Sequence, residues 1–231
     1  MKKQLHLACV VCGVLGFASA ACANELTDKE KAEGWVSLFD GKTLEGWRNY
    51  KGEGVREGWQ VVDGTMQHTK KGGDLITNKK YQDFELKLEW KISERGNSGI
   101  FLSVIEEPAK IYFSGIEMQI LDDESHPDGK FVKHRSGGCY GLYQPPAGAV
   151  AAVGSWNKVR VLKQGDHYQF FLNGVKTADF KTESEAFKTL VKKSKFKKWP
   201  EFASSLKGHI GLQDHGDVVN FRNLKIREIK K

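Results

Sequence analysis

Two short segments place acid–base side chains on the strand face opposite their apolar residues. One reads Gly115-Ile116-Glu117-Met118-Gln119-Ile120, and the other His209-Ile210-Gly211-Leu212-Gln213-Asp214-His215-Gly216. Side chains alternate between the two faces of a strand. Ile116, Met118 and Ile120 therefore point one way, and Glu117 and Gln119 the other. Ile210 and Leu212 likewise oppose Gln213 and His215. If the two strands are neighbours, a carboxylate, two amides and an imidazole converge. Glu117 is the candidate base, and His215 could act as acid, base or metal ligand. Gln119 and Gln213 would bind hydroxyls, because an amide both donates and accepts.

A polar loop follows the first segment, Asp122-Asp123-Glu124-Ser125-His126-Pro127-Asp128-Gly129, with His134 just beyond. Asp122 and His126 could hold a divalent metal that would polarise a carbonyl. The spacing fits no calcium loop, since Pro127 interrupts it, and an Asp-rich turn is the simpler reading. No cofactor is otherwise implied. His134, Glu89 and Asn97 are further substrate-binding candidates. Tyr140, Tyr143 or Trp156 could stack on a flat ligand face, while most of the six Trp fall among Leu and Val as core.

The elements that must position these residues are mostly strands. Phe84 to Ile92 alternates cleanly, with Leu86, Leu88, Trp90 and Ile92 against Glu85, Lys87, Glu89 and Lys91. That pattern suits an antiparallel sheet with one face in a core. Trp59-Gln60-Val61-Val62, a turn at Asp63-Gly64 and Thr65 to Thr69 read as a hairpin. Further strands are expected at 35–39, 100–104, 158–162, 168–172 and within 218–229. Helical character is confined to residues 26–34, where Thr27 or Asp28 could cap, and to Glu183–Lys193. The fold class is all-β: two packed antiparallel sheets with one or two short helices. No repeat or interdomain linker is evident, so residues 24–231 read as a single domain.

Residues 1–23 read as a signal peptide, with Lys2 and Lys3 preceding an apolar stretch too short to span a membrane and small residues at Ala21-Cys22-Ala23. The expectation is export to the periplasm or beyond, with a lipid anchor at Cys22 as the lesser alternative. Removing 23 of the 231 residues leaves 208, and the formal charge of +7 falls to +5. Much of that charge lies in Lys188, Lys192, Lys193, Lys195, Lys197 and Lys198. In an exported protein this run reads as a solvated helix face and loop, not a nucleic-acid patch. Cys9, Cys12 and Cys22 leave with the signal. Cys139 then stands alone, which excludes a disulfide scaffold and a cysteine zinc cluster. In Gly137-Gly138-Cys139-Tyr140-Gly141 it reads as a small packed residue, not a nucleophile. Nothing in the chain indicates its oligomeric state.

In order along the chain, the segments Leu38-Phe39-Asp40-Gly41-Lys42-Thr43-Leu44-Glu45-Gly46-Trp47, Trp59 to Gly64, Phe84 to Trp90 and Gly96-Asn97-Ser98-Gly99-Ile100-Phe101 form a recognisable set. It continues with Gly115 to Asp122, Tyr140-Gly141-Leu142-Tyr143, Trp156-Asn157, Leu172-Asn173-Gly174, Gly208 to Gly216 and Phe221-Arg222-Asn223. The set resembles the 3-keto-disaccharide hydrolase family. The resemblance implies a concanavalin-like jelly-roll sandwich and action on glycosides oxidised to a ketone at the third sugar carbon. The partner would be a small-molecule carbohydrate. Such a ketone acidifies the C2 hydrogen, so a base can remove it, the enolate can expel the glycosidic oxygen, and water can add. Relatives often carry Arg where this chain has Ser103, so a substrate contact by that Arg is expected to be missing. Two alternatives stay open: a non-catalytic carbohydrate-binding module, and a conventional glycosidase using Glu117 and Glu89 as a carboxylate pair.

Overall fold

The computed structural model describes residues 23–230, and residues 1–22 of the proposed signal segment, with Cys9, Cys12 and Cys22, lie outside them. Thirteen strands, numbered in chain order, form two sheets, and every pairing among the described residues is antiparallel. The larger sheet holds β1 (Trp35–Ser37), β3 (Trp59–Val62), β4 (Thr65–His68), β6 (Phe84–Ile92), β9 (Asn157–Gln164), β10 (His167–Leu172), β11 (Val175–Lys181) and β13 (Val219–Glu228). Its order is β11-β10-β9-β6-β13-β4-β3, with β1 also on β13. The smaller sheet holds β2 (Trp47–Asn49), β5 (Leu75–Thr77), β7 (Asn97–Val104), β8 (Ile116–Leu121) and β12 (His209–Leu212), ordered β2-β5-β12-β7-β8.

The alternation of β6 does what its sequence predicts. Leu86, Leu88, Trp90 and Ile92 are buried against Ile116, Met118 and Ile120 of β8 and Ile210 and Leu212 of β12. The core thus fills the space between the sheets. Helix α1 (Asp28–Ala32) is closed by a Thr27–Glu30 capping box, and α2 (Glu185–Lys192) by Ser184.

The condition that the two site strands be neighbours is not met, and the reading of Gln213 and His215 as strand residues needs correction. β8 and β12 are not neighbours, because β7 runs between them. And β12 ends at Leu212, so Gln213 and His215 sit on the loop beyond it. Gly99 of β7 makes the longer reach possible. It pairs with Gln119, and a Cβ there would lie 2.5 Å from Glu117 Oε1. With no side chain at 99, the Glu117 carboxyl crosses over the middle strand toward β12. We expect Gly99→Ala to displace that carboxyl and cut turnover at least tenfold while circular dichroism stays native; steady-state kinetics on the purified variant checks this.

Candidate active site

On the face of the smaller sheet away from the core, a cavity of about 370 Å³ is lined by Glu117, Gln119, Gln213, His215, Asn97 and Tyr140. Its floor is polar and its walls are largely aromatic. Asp128, from the 3-10 turn Pro127–Lys130, lies on one side. Lys195, Phe196 and Trp199 form another wall, and Tyr112 closes it.

Glu117 is 8% exposed, so its carboxyl is buried yet opens into the cavity. Burial pushes its pKa up to about 8. The Lys195 ammonium opposes that rise, and the carboxylates of Asp74 and Asp128 add to it. A carboxyl tuned this close to neutrality, in a cavity, has the properties of a general base or acid.

The amides show what the cavity expects to bind. Asn97 Oδ1 and Gln213 Oε1 are buried without a hydrogen-bond partner. Gln119 Oε1 accepts from the Ile120 N–H at 3.1 Å, which leaves its NH₂ group toward the cavity. Buried oxygens without donors are costly, and ligand hydroxyls would satisfy them. Tyr140 donates its hydroxyl to Asp128 Oδ2 at 3.1 Å, and Lys195 Nζ sits 4.4 Å from the centre of the Tyr140 ring. Burial and the neighbouring Asp128 push the Tyr140 hydroxyl up, so it stays a donor. His215 is half exposed at the cavity mouth, with Nδ1 3.7 Å from Asp217 Oδ2.

Other candidates fall elsewhere. Glu89 lies on the outer face of the larger sheet, where its Oε2 accepts from Arg222 Nε at 2.8 Å. It is neither a substrate ligand here nor the second half of a carboxylate pair with Glu117. Trp156 is on that same outer side under Arg222, and Tyr143 stacks on Phe180 at 4.9 Å. His134 is outside the cavity wall, stacked behind Tyr140 at 4.4 Å, so it supports that ring rather than meeting the ligand. Asp122 is buried, with its carboxylate taken by the backbone N–H groups of Arg95, Glu124 and Ser125, and His126 Nδ1 accepts from the Asp128 N–H. Among the described residues no three His, Cys, Asp or Glu side chains group to hold an ion. These two residues are loop caps and do not supply the metal site considered for them. Ser103 bonds Tyr168 inside the sandwich at 2.7 Å, away from the cavity, so the side chain at this position does not decide substrate contacts. Cys139 is buried and pairs with Met118 beside β8, and burial pushes its thiol up, as suits a packed residue.

Lys195 was hidden in the lysine run and contradicts its reading as a purely solvated face. Ser194 caps a 3-10 turn at Lys195–Lys198 that aims this one lysine inward. The available signal was the aromatic interleaving in Lys195-Phe196-Lys197-Lys198-Trp199, which a solvated run does not need.

A profile of the 3-keto-alpha-glucoside-1,2-lyase-like domain matches residues 34–227. The chain belongs to this family. A 3-keto-disaccharide hydrolase of Bacteroides thetaiotaomicron is 33% identical over 228 residues, covering 85% of this chain and 79% of that one. A proposed glycosyl hydrolase of Parabacteroides distasonis superposes with a TM-score of 0.85 at 34% identity, over 90% of this chain and 100% of that one. A Bacillus subtilis carbohydrate-binding module, CBM66, shares only the fold, with a TM-score of 0.50 at 14% identity over 79% of this chain and 96% of that one. The jelly-roll sandwich expected from the sequence is the fold observed. Among the described residues, no helix is long and apolar enough to cross a membrane.

Proposed function

We propose that this carbohydrate-active enzyme cleaves 3-keto-glycosides or 3-keto-disaccharides by C2 proton abstraction, elimination and hydration. With residues 1–23 removed as an export signal, it would do so outside the cytoplasm. The observation that carries the reading is Glu117: a buried carboxyl with its pKa near 8, opening into a cavity where the Asn97 and Gln213 amide oxygens lack donors.

Glu117 takes the C2 proton, and the electron pair becomes an enolate with its charge on the C3 oxygen. Lys195 stabilises that oxygen. The enolate reforms the ketone and makes a C1–C2 double bond as the C1–oxygen bond breaks, and His215 gives its proton to the departing oxygen. Water then adds at C1, giving its proton to His215, and Glu117 returns a proton to C2. The sum is hydrolysis, with both catalytic groups returned to their starting protonation. Asn97, Gln119 and Gln213 hold hydroxyls so that the C2–H bond meets the carboxylate.

The first test incubates the purified protein with a 3-keto-glucoside and with its unoxidised parent. Release of aglycone from the ketone sugar alone is the expected result. Binding without cleavage would instead mark a binding module, and cleavage of the parent would remove the need for the ketone.

A further inference from the structure

Asn24 lies just ahead of α1, between the more exposed Ala23 and Glu25, yet it is buried. The reaction above gives it no task. Asn24 and Asn223 bond each other twice across 199 residues of chain. The Asn24 N–H donates to Asn223 Oδ1 at 2.7 Å, and the Asn223 N–H donates to Asn24 Oδ1 at 2.8 Å. Asn24 Nδ2 also donates to the Gly64 carbonyl oxygen at 2.9 Å. A Cβ at Gly41 would lie 2.8 Å from Asn24 Nδ2, so the side chain fits because that turn carries none. Asn223 stands at the bulge of β13, where pairing with β6 shifts register between Arg222 and Lys225. Gly64 stands in the turn between β3 and β4. Asn24 thus ties the bulge to the turn, and together they form its seat.

The seat carries one strain. Asn24 has φ +76°, a left-handed value that costs any residue with a Cβ, although Asn tolerates it better than most. That torsion is defined only while Ala23 is joined to Asn24. Hydrolysis of the Ala23–Asn24 bond adds the hydroxyl of water to the Ala23 carbonyl carbon and its hydrogen to the Asn24 nitrogen. At neutral pH that nitrogen takes a further proton and becomes an ammonium. It then reaches the same Asn223 oxygen through a charge-assisted hydrogen bond, stronger than that of an amide. Glu25, Asp40 and Asp63 line the hollow around it, together with Lys42 and Arg222.

We propose that this seat is an intramolecular binding site for the α-ammonium of Asn24, created when the export signal is cut after Ala23, so that processing stabilises the mature fold. The proposal rests on the removal of residues 1–23 and is independent of the reaction scheme. A lipidated Cys22 does not suit it. Ala23 alone, about 3.5 Å of chain, would separate the lipid from a buried residue.

The test has two arms. In the first, the full chain with its own residues 1–23 is exported by a bacterial host, and the intact mass of the recovered protein is measured. A chain that begins at Asn24 is expected. A start at Ala21, a lipidated Cys22 or an uncut leader would overturn the proposal. The second arm prepares two proteins from fusions whose protease leaves no extra residue, one beginning at Asn24 and one at Ala21. The Asn24 protein should have the higher Tm, by about 2–4 °C. Placing Asn223→Ala in both should shrink that gap, because the nitrogen loses its acceptor. Equal Tm values, a more stable Ala21 protein, or a gap that Asn223→Ala leaves unchanged would overturn the proposal. An inactive enzyme would defeat the reaction scheme alone, since neither arm reads turnover.

Discussion

Glu117→Gln should all but abolish turnover and at the same time stabilise the fold. The amide has nearly the shape of the carboxyl but cannot take a proton, so the loss is that of the base itself, about 10²- to 10⁴-fold. The gain in stability follows from burial. The folded carboxyl has its pKa near 8, against an ordinary value of 4.5 in the unfolded chain. Between those values the unfolded chain gives up its proton while the folded chain keeps it, so stability falls as pH rises through this window. At pH 7 the accumulated cost is roughly 3 kcal/mol, and Gln does not incur it. Thermal melts of both proteins from pH 4.5 to 8 should show a gap in Tm that opens with pH in favour of the variant. A variant with native activity, or one whose stability tracks wild type at every pH, would remove Glu117 from the role of buried base. The wild-type rate should also rise with pH through about 8, since only about a tenth of Glu117 is ionised at pH 7.

Lys195→Met should be the second severe change, for two reasons that can be separated. The ammonium holds Glu117 below the value that burial alone would impose, and it lines the cavity where the proposed enolate oxygen would form. Its loss should lower kcat/KM about 10²- to 10³-fold and move the rising limb of the pH profile to higher pH. Lys195→Arg keeps the charge and should recover part of the rate with the limb near its wild-type position. Lys195 is exposed on a short turn, so neither variant should unfold the chain. A Lys195→Met profile that loses rate without any displacement of its limb would break the link between this cation and Glu117.

The stretches where apolar residues recur with period two were the legible part. Phe84–Ile92 is a strand because its alternating residues can bury one face only as a strand. The same alternation put Glu117 and Gln119 on the face away from the core. It could not say which sheet a face belongs to. Glu89 has the same pattern as Glu117, yet its strand lies in the opposite sheet, where Arg222 pairs with it. Strand order was equally hidden, since nothing local to β8 or β12 announces that β7 comes between them and that Gly99 leaves the space the carboxyl needs. Lys195 escaped because a lysine among lysines looks solvated; a cap at Ser194 and aromatic neighbours turn it inward.

The most direct measurement is the origin of the hydrogen at C2 of the product. Turnover of a 3-keto-glucoside in D₂O, followed by rapid mass and NMR analysis, should show one deuterium at C2 beyond what the free product acquires when incubated with Glu117→Gln. Product that retains its original C2 protium, together with an unchanged rate for the C2-deuterated substrate, would mean that the glycosidic bond is cleaved without proton abstraction, and the role assigned to Glu117 would fall with it.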